Sequence, residues 1–217
     1  MQNAIAFRGR FTGMVVLAGL LLVLSGCAGN IVQMQEISAD QPAPTPLPGK
    51  AMVVFMRPST LGFAVQSTVY EVKGTEVELI GIVAAKTKVA YHVDPGKRLF
   101  MAVGESADFM NAELQAERTY YVNVAPRMGM WKARFALDPI RREQLDGDAF
   151  KGDLKDTRWV RKTAESEQWF TANRSSIDSK RSEYYPDWTK KPEGERPALR
   201  ADDGRQGDFS AARPGSR

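Results

Sequence analysis

The 217-residue chain contains one cysteine and one histidine. A disulfide within one chain needs two cysteines, and a Cys/His zinc site needs several such ligands, so both are excluded. The chain also lacks a Gly-rich phosphate loop, since Gly62, Gly74 and Gly81 are too scattered to cradle a nucleotide. It has no unbroken apolar run of the roughly 20 residues a membrane-spanning helix requires. Extremes of composition are missing too: 43% hydrophobic and 26% charged residues exclude a collagen-like, fully disordered or polytopic membrane protein.

What is present begins at the N-terminus. Arg8 and Arg10 form a positive segment without an acid, and Gly13 to Leu24 follows as an apolar stretch. A stretch of about 12 residues is the size of a signal-peptide core. It closes with Leu24-Ser25-Gly26-Cys27, which resembles the bacterial lipobox. That resemblance implies a lipid on the Cys27 thiol and cleavage before it, leaving 217 − 26 = 191 residues. Ala28, where an Asp would favour retention in the inner membrane, implies the outer membrane, with the protein on its periplasmic face. Lys plus Arg number 30 and Asp plus Glu 26; loss of Arg8 and Arg10 lowers the balance from +4 to 28 − 26 = +2. Such a near-neutral mature chain gives no warrant for a nucleic-acid partner.

Residues 27–49 read as the lipidated Cys and a Pro-rich tether, in which Pro42, Pro44, Pro46 and Pro48 favour an extended conformation. Fully extended, about 20 such residues reach about 60 Å. Residues 50–140 read as strands. Ala51 to Arg57 is apolar on both faces, and Thr68–Val72 and Val77–Ala84 follow, with Gly81 marking a bulge. Lys88 to Asp94 alternates, placing Lys88, Ala90, His92 and Asp94 on a wet face. After the turn Asp94-Pro95-Gly96-Lys97 come alternating segments around Leu99–Val103, Tyr120–Val124 and Ala133–Leu137. Short strands with a turn every 8–12 residues indicate a β-sandwich or small barrel.

Residues 141–190 change character. Asp156 is placed to cap a helix from about Thr157 to Tyr184, with Phe170, Ile177 and Tyr184 recurring every seven residues and Trp159 near the start of the stripe. Pro186 should end it by disfavouring helix at Tyr185. Residues 191–217 have few apolar side chains and read as a disordered tail.

Residues 49–140 resemble a family of bacterial lipoprotein domains known only as a domain of unknown function. The matching features are Gly49-Lys50-Ala51, Arg57-Pro58, Val69-Tyr70, Asp94-Pro95-Gly96-Lys97, Thr119-Tyr120-Tyr121-Val122 and Arg134-Phe135. One departure is Ala116-Glu117-Arg118, where such domains often carry a Gly-containing turn. The resemblance implies an immunoglobulin-like or prealbumin-like sandwich and transfers no catalytic residue. The expected fold is therefore mainly β, with a C-terminal helix and tail outside the matched part.

Candidate chemistry is sparse. His92 has no nucleophile motif to serve. Glu76 and Glu78 share a strand face at about 7 Å, a spacing two carboxylates could use, although surface strands often carry such pairs for solubility. Asp146-Gly147-Asp148 and Asp153 start a calcium-like pattern, but Thr157 stands where the loop needs its final Glu. The segment 141–190 balances at 11 − 10 = +1, so its basic and aromatic residues read as a self-solvating helix surface. No cofactor and no catalytic residue is expected. The leading reading is a non-catalytic outer-membrane lipoprotein that recognises another envelope component, a protein partner first. The alternative is a module for a small molecule, lipid or cell-wall glycan, with a pocket between sandwich and helix lined by Trp159, Trp169, Phe170, Tyr184, Tyr185 and Trp188.

Overall fold

A computed structural model describes residues 33–128 and 133–206. The expected signal peptide, Cys27 and residues 207–217 lie outside the described residues. The described residues form one compact unit. Its strands are β1 (Met34–Glu36), β2 (Ala51–Arg57), β3 (Ser67–Lys73), β4 (Glu76–Val83), β5 (Thr87–Val93), β6 (Gly96–Val103), β7 (Ala107–Leu114), β8 (Arg118–Met128), β9 (Ala133–Pro139), β10 (Arg158–Lys162), β11 (Ala198–Leu199) and β12 (Arg205–Gln206). Two helices, α1 (Asp148–Asp156) and α2 (Ala164–Lys190), complete the main elements.

The strands form two stacked sheets, the mainly β sandwich expected from the sequence. One runs β1-β10-β5-β2-β8-β12, with β9 also paired to β8; the other runs β11-β7-β6-β3-β4. Alternation sorts the side chains. Ala51, Val53 and Phe55 of β2 point inward to meet Val69, Phe100, Met110 and Val122, and Phe55 meets Phe100 edge-on at 5.2 Å. Met52, Val54 and Met56 point outward under Phe150 and Leu154 of α1. On the far side Tyr70, Val77, Leu79, Met101 and Phe109 lie under Ile177 and Trp188 of α2. The result is four layers, helix on sheet on sheet on helix. This explains why β2 is apolar on both faces: each face is covered.

The expected bulge falls beside Gly81, where the β3–β4 register slips between Val69 and Tyr70. The slip shifts the alternation by one residue, so Val77 and Leu79 face α2 whereas Ile80 and Val83 enter the inter-sheet core. Gly81 itself answers a close approach, because a Cβ there would meet the Met34 side chain at 3.0 Å. Glu117 occupies the turn where the resembling domains often carry glycine, and it adopts the left-handed φ of 60° that glycine favours. Its N–H donates to the Lys50 carbonyl at 2.7 Å, which fixes the turn in that strained conformation.

Several boundaries differ from those expected. The helix expected from about Thr157 to Tyr184 starts instead as the strand β10 and becomes helical only at Ala164, while a separate helix, α1, precedes it. Residues 158–162 pair with β1 and β5, and their two-residue alternation sends Val160 into the inter-sheet core. Asp156 ends α1 rather than capping the next helix. The actual cap is Thr163, whose hydroxyl accepts from the Ser166 N–H at 3.2 Å while the Ser166 hydroxyl accepts from the Thr163 N–H at 2.8 Å. Pro186 does not stop α2, which continues to Lys190. A mid-helix proline costs about 3 kcal/mol. Burial of Trp188, 4% exposed and packed on Phe109 at 5.8 Å, offsets it.

The tether also joins the fold. Met34–Glu36 pairs with β10, the Thr163 hydroxyl donates to the Gln33 carbonyl, and the Thr45 carbonyl lies 2.7 Å from His92 Nε2. Nor is the segment after residue 191 structureless as far as residue 206. β11 adds to β7 in one sheet and β12 adds to β8 in the other, so residues 198–206 strap the two sheets together along one side. The strap owes its order to tertiary pairing, with Leu199 1% and Asp203 4% exposed.

Candidate functional site

Three polar features stand out from this frame. The first is Lys88, which the alternation of β5 places on a wet face. It is 3% exposed, because α1 covers that face. Its ammonium donates to the carbonyls of Leu154 and Thr157 at 2.5 Å and lies 4.9 Å from the Trp159 ring centre. These are orphan carbonyls at the C-terminal end of α1, where a cation is favoured. The role is a cap. Burial pushes the Lys88 ammonium down to about 8. The unfolded chain, with lysine near 10.5, then binds the extra proton between about pH 8 and 10.5, so this residue makes stability rise with pH across that window. Wild type minus Lys88→Met, measured by urea denaturation from pH 7 to 10, should show an upward slope of order 1–3 kcal/mol. A flat difference curve would remove this role for the ammonium.

The second feature is Arg57, at the end of β2. Its side chain is fully buried without a carboxylate. It donates instead to the carbonyls of Val65 at 2.5 Å and of Leu61 and Gly62 at 2.7 Å, and its guanidinium lies 4.9 Å from the Phe135 ring centre. The motif Arg57-Pro58 thus organises the following loop. That loop holds Phe63 and Leu61 out in solvent, 75% and 47% exposed.

The third is a cleft of about 490 Å³ between the β3–β6–β7 face and α2, at the end of the sheet away from Leu61 and Phe63. Its lining comprises Glu71, Val72, Lys73 and Gly74 from β3 and its turn, Lys97, Arg98 and Leu99 from β6, Asn111 from β7, and Arg181 and Tyr185 from α2. Four cations face one carboxylate. That carboxylate, Glu71, is 1% exposed and engaged: the Tyr91 hydroxyl donates to it at 2.5 Å, and Lys73 and Arg98 lie at 3.2 and 3.6 Å. Burial, with the Glu71 carboxylate beside it, pushes the Tyr91 phenol well above its ordinary range, so it remains a donor.

The aromatic residues expected to form one binding surface are divided. Trp159 lies on β10, packed with the α1 cluster on the opposite side of the sandwich. Trp169, Phe170 and Tyr184 are half-buried against the sheet under α2, and Trp188 is buried there. Only Tyr185 of the six lines the cleft; it is 36% exposed and stacked on Trp188 at 5.9 Å. The heptad stripe therefore marks the docking face of α2 rather than a groove. Sequence reading missed Lys97 and Arg181, which come from elements far apart in the chain; no local pattern joins them.

The other candidates are occupied. Glu76 pairs with Arg174 and Glu78 with Lys73, at 2.8 and 2.6 Å, and the Lys73 hydrogen bond holds the Glu78 carboxyl below its ordinary range. A general acid would need the opposite shift. Asp146 pairs with Arg205. Among the described residues no three His, Cys, Asp or Glu side chains are placed to share a metal ion, and no helix is long and apolar enough to cross a membrane. Comparison with family models, curated proteins and solved structures returned no match.

Proposed function

We propose that the chain is a lipid-anchored protein of the bacterial envelope that works by recognition rather than by catalysis, with the outer membrane as its site. The observation that carries this reading is the position of the only cysteine, directly after Leu24-Ser25-Gly26 and a short apolar core. The docked segment adds a consequence. Five residues lie between Cys27 and Gln33, and a chain extends at most about 3.6 Å per residue, so a lipid on Cys27 holds the start of the fold within about 20 Å of the headgroups. The 60 Å tether is replaced by a short leash, and the recognised component lies at or near the membrane surface.

Cys27→Ala tests the anchor. Radiolabelled palmitate should enter the wild-type chain and not the variant, and the variant should accumulate as uncut precursor. A variant that is processed normally and released as soluble protein would overturn the reading. A second reading, a module for a small ligand, is favoured by the cleft under α2, which lies where that reading places its pocket but has a cationic rather than an aromatic lining.

A further inference from the structure

We propose that the cleft between β3, β6 and α2 binds a small anionic molecule through a carboxylate or phosphate group, an inference that rests on the small-ligand reading above. Two donors carry it. Lys97 is exposed at the start of β6 and makes no ion pair among the described residues; Glu113, its register partner across the strand pair, does not engage it. Arg181 lines the cleft from α2 and donates to the Gly74 carbonyl at 3.1 Å, with no carboxylate paired to it among the described residues. An anion in the cleft would give Lys97 and Arg181 the charged acceptor that neither has among the described residues. Glu71 does not compete, because its carboxylate is held by Tyr91, Lys73 and Arg98.

The remaining walls suit the rest of such a ligand. Leu99 and Val72 form an apolar floor, and the Tyr185 ring, stacked on Trp188, presents a platform on which a sugar or planar group can rest. The volume of about 490 Å³ lies inside the range of roughly 300–1,000 Å³ typical of small-molecule sites. The cleft is preformed, since α2 is fixed to the sheet beside it by Trp188 and Ile177.

The anion has two sources, a soluble molecule or a lipid headgroup, and one experiment separates them. The full chain in neutral detergent is titrated with inorganic phosphate, glucuronate and uncharged glucose while amide shifts are followed. In parallel it is mixed with vesicles of pure phosphatidylcholine or with added phosphatidylglycerol. Saturable shifts at Lys97, Asn111, Arg181 and Tyr185 are expected with phosphate or glucuronate and not with glucose. Lys97→Gln and Arg181→Gln should each weaken binding about tenfold, whereas Arg127→Gln, an exposed arginine of β8, should leave it unchanged. Binding confined to phosphatidylglycerol vesicles, with the same dependence on Lys97 and Arg181, would assign the headgroup as source and also support the site. Equal affinity in all variants, equal response to glucose, or no response to any anion would overturn it. Palmitate labelling and fractionation of the same variants read the anchor independently, so loss of the cleft does not remove the anchored role, nor the reverse.

Discussion

A chain ending at Arg196 should lose at least about 4 kcal/mol of folding stability, against a total of roughly 5–15 kcal/mol for an ordinary domain. The deleted strap is short and polar, but its contacts are concentrated. Leu199 is 1% exposed, and burying a leucine contributes about 1.5–3 kcal/mol. The Arg141 guanidinium donates to the Ala198 carbonyl and to Asp203 at 2.7 Å, and the Tyr120 hydroxyl donates to the Ala201 carbonyl while accepting from the Gln115 N–H. Removing the strap leaves these half-buried donors to water and opens the edge between β7 and β8. Urea denaturation should show a lower midpoint. One residue probes the same feature without truncation. A Cβ on Gly204 would lie 2.4 Å from Tyr120 Cζ, inside the contact distance of any real atom pair, and Tyr120 is fully buried. Gly204→Val should therefore cost about 3 kcal/mol by displacing the strap or the ring. A truncated chain with the wild-type midpoint would mean that the two sheets hold together without it.

The strap is also where sequence reading stops working, and for a definite reason. Hydrophobic periodicity reports burial of a face, so β2, β5 and β8 are legible from their alternating or continuous apolar residues. β7 (Ala-Asp-Phe-Met-Asn-Ala-Glu-Leu) is not, because Asp, Asn, Glu and Ala carry little strand preference and its place is set by pairing with β6. In β11 and β12 two residues each do the pairing, too few for any period. Lys88 misleads in the opposite way. A lysine opposite Val89 and Tyr91 reads as the wet face of a strand, and only the docked C-terminus of α1 makes its burial tolerable. The stripe at Phe170, Ile177 and Tyr184 is legible because it recurs at helical spacing, and it forms the apolar face of α2. What that face covers is sheet, and the cleft beside it draws its charge from Lys97 and Arg181, 84 residues apart by 181 − 97.

Replacement of Arg57 by methionine should give the other large effect, about 3 kcal/mol of stability together with a new protease-sensitive site. Methionine replaces the aliphatic stem of arginine but stops short of the guanidinium, so the loss reports the polar contacts together with the stacking on Phe135. Hydrogen bonds to a charged group contribute about 1.5–3 kcal/mol each, partly offset here because the methionine escapes the desolvation of a buried cation. That desolvation is real, for burial pushes the Arg57 guanidinium below its ordinary value without discharging it. Among the described residues the loop from Ser59 to Val65 is otherwise held by the Val65 N–H to Gly62 carbonyl bond and the Leu61 N–H to Ser59 hydroxyl bond, each at 3.0 Å. Without the guanidinium its apolar tip should swing free, and chymotrypsin should cut at Leu61 and Phe63 in native buffer, where the wild-type chain resists. Arg57→Lys should fall between the two, since a single ammonium cannot reproduce the fork that spans the Leu61, Gly62 and Val65 carbonyls. If Arg57→Met keeps both the wild-type midpoint and protease resistance, the two turn bonds are sufficient. The buried guanidinium would then be tolerated by the fold without organising the loop.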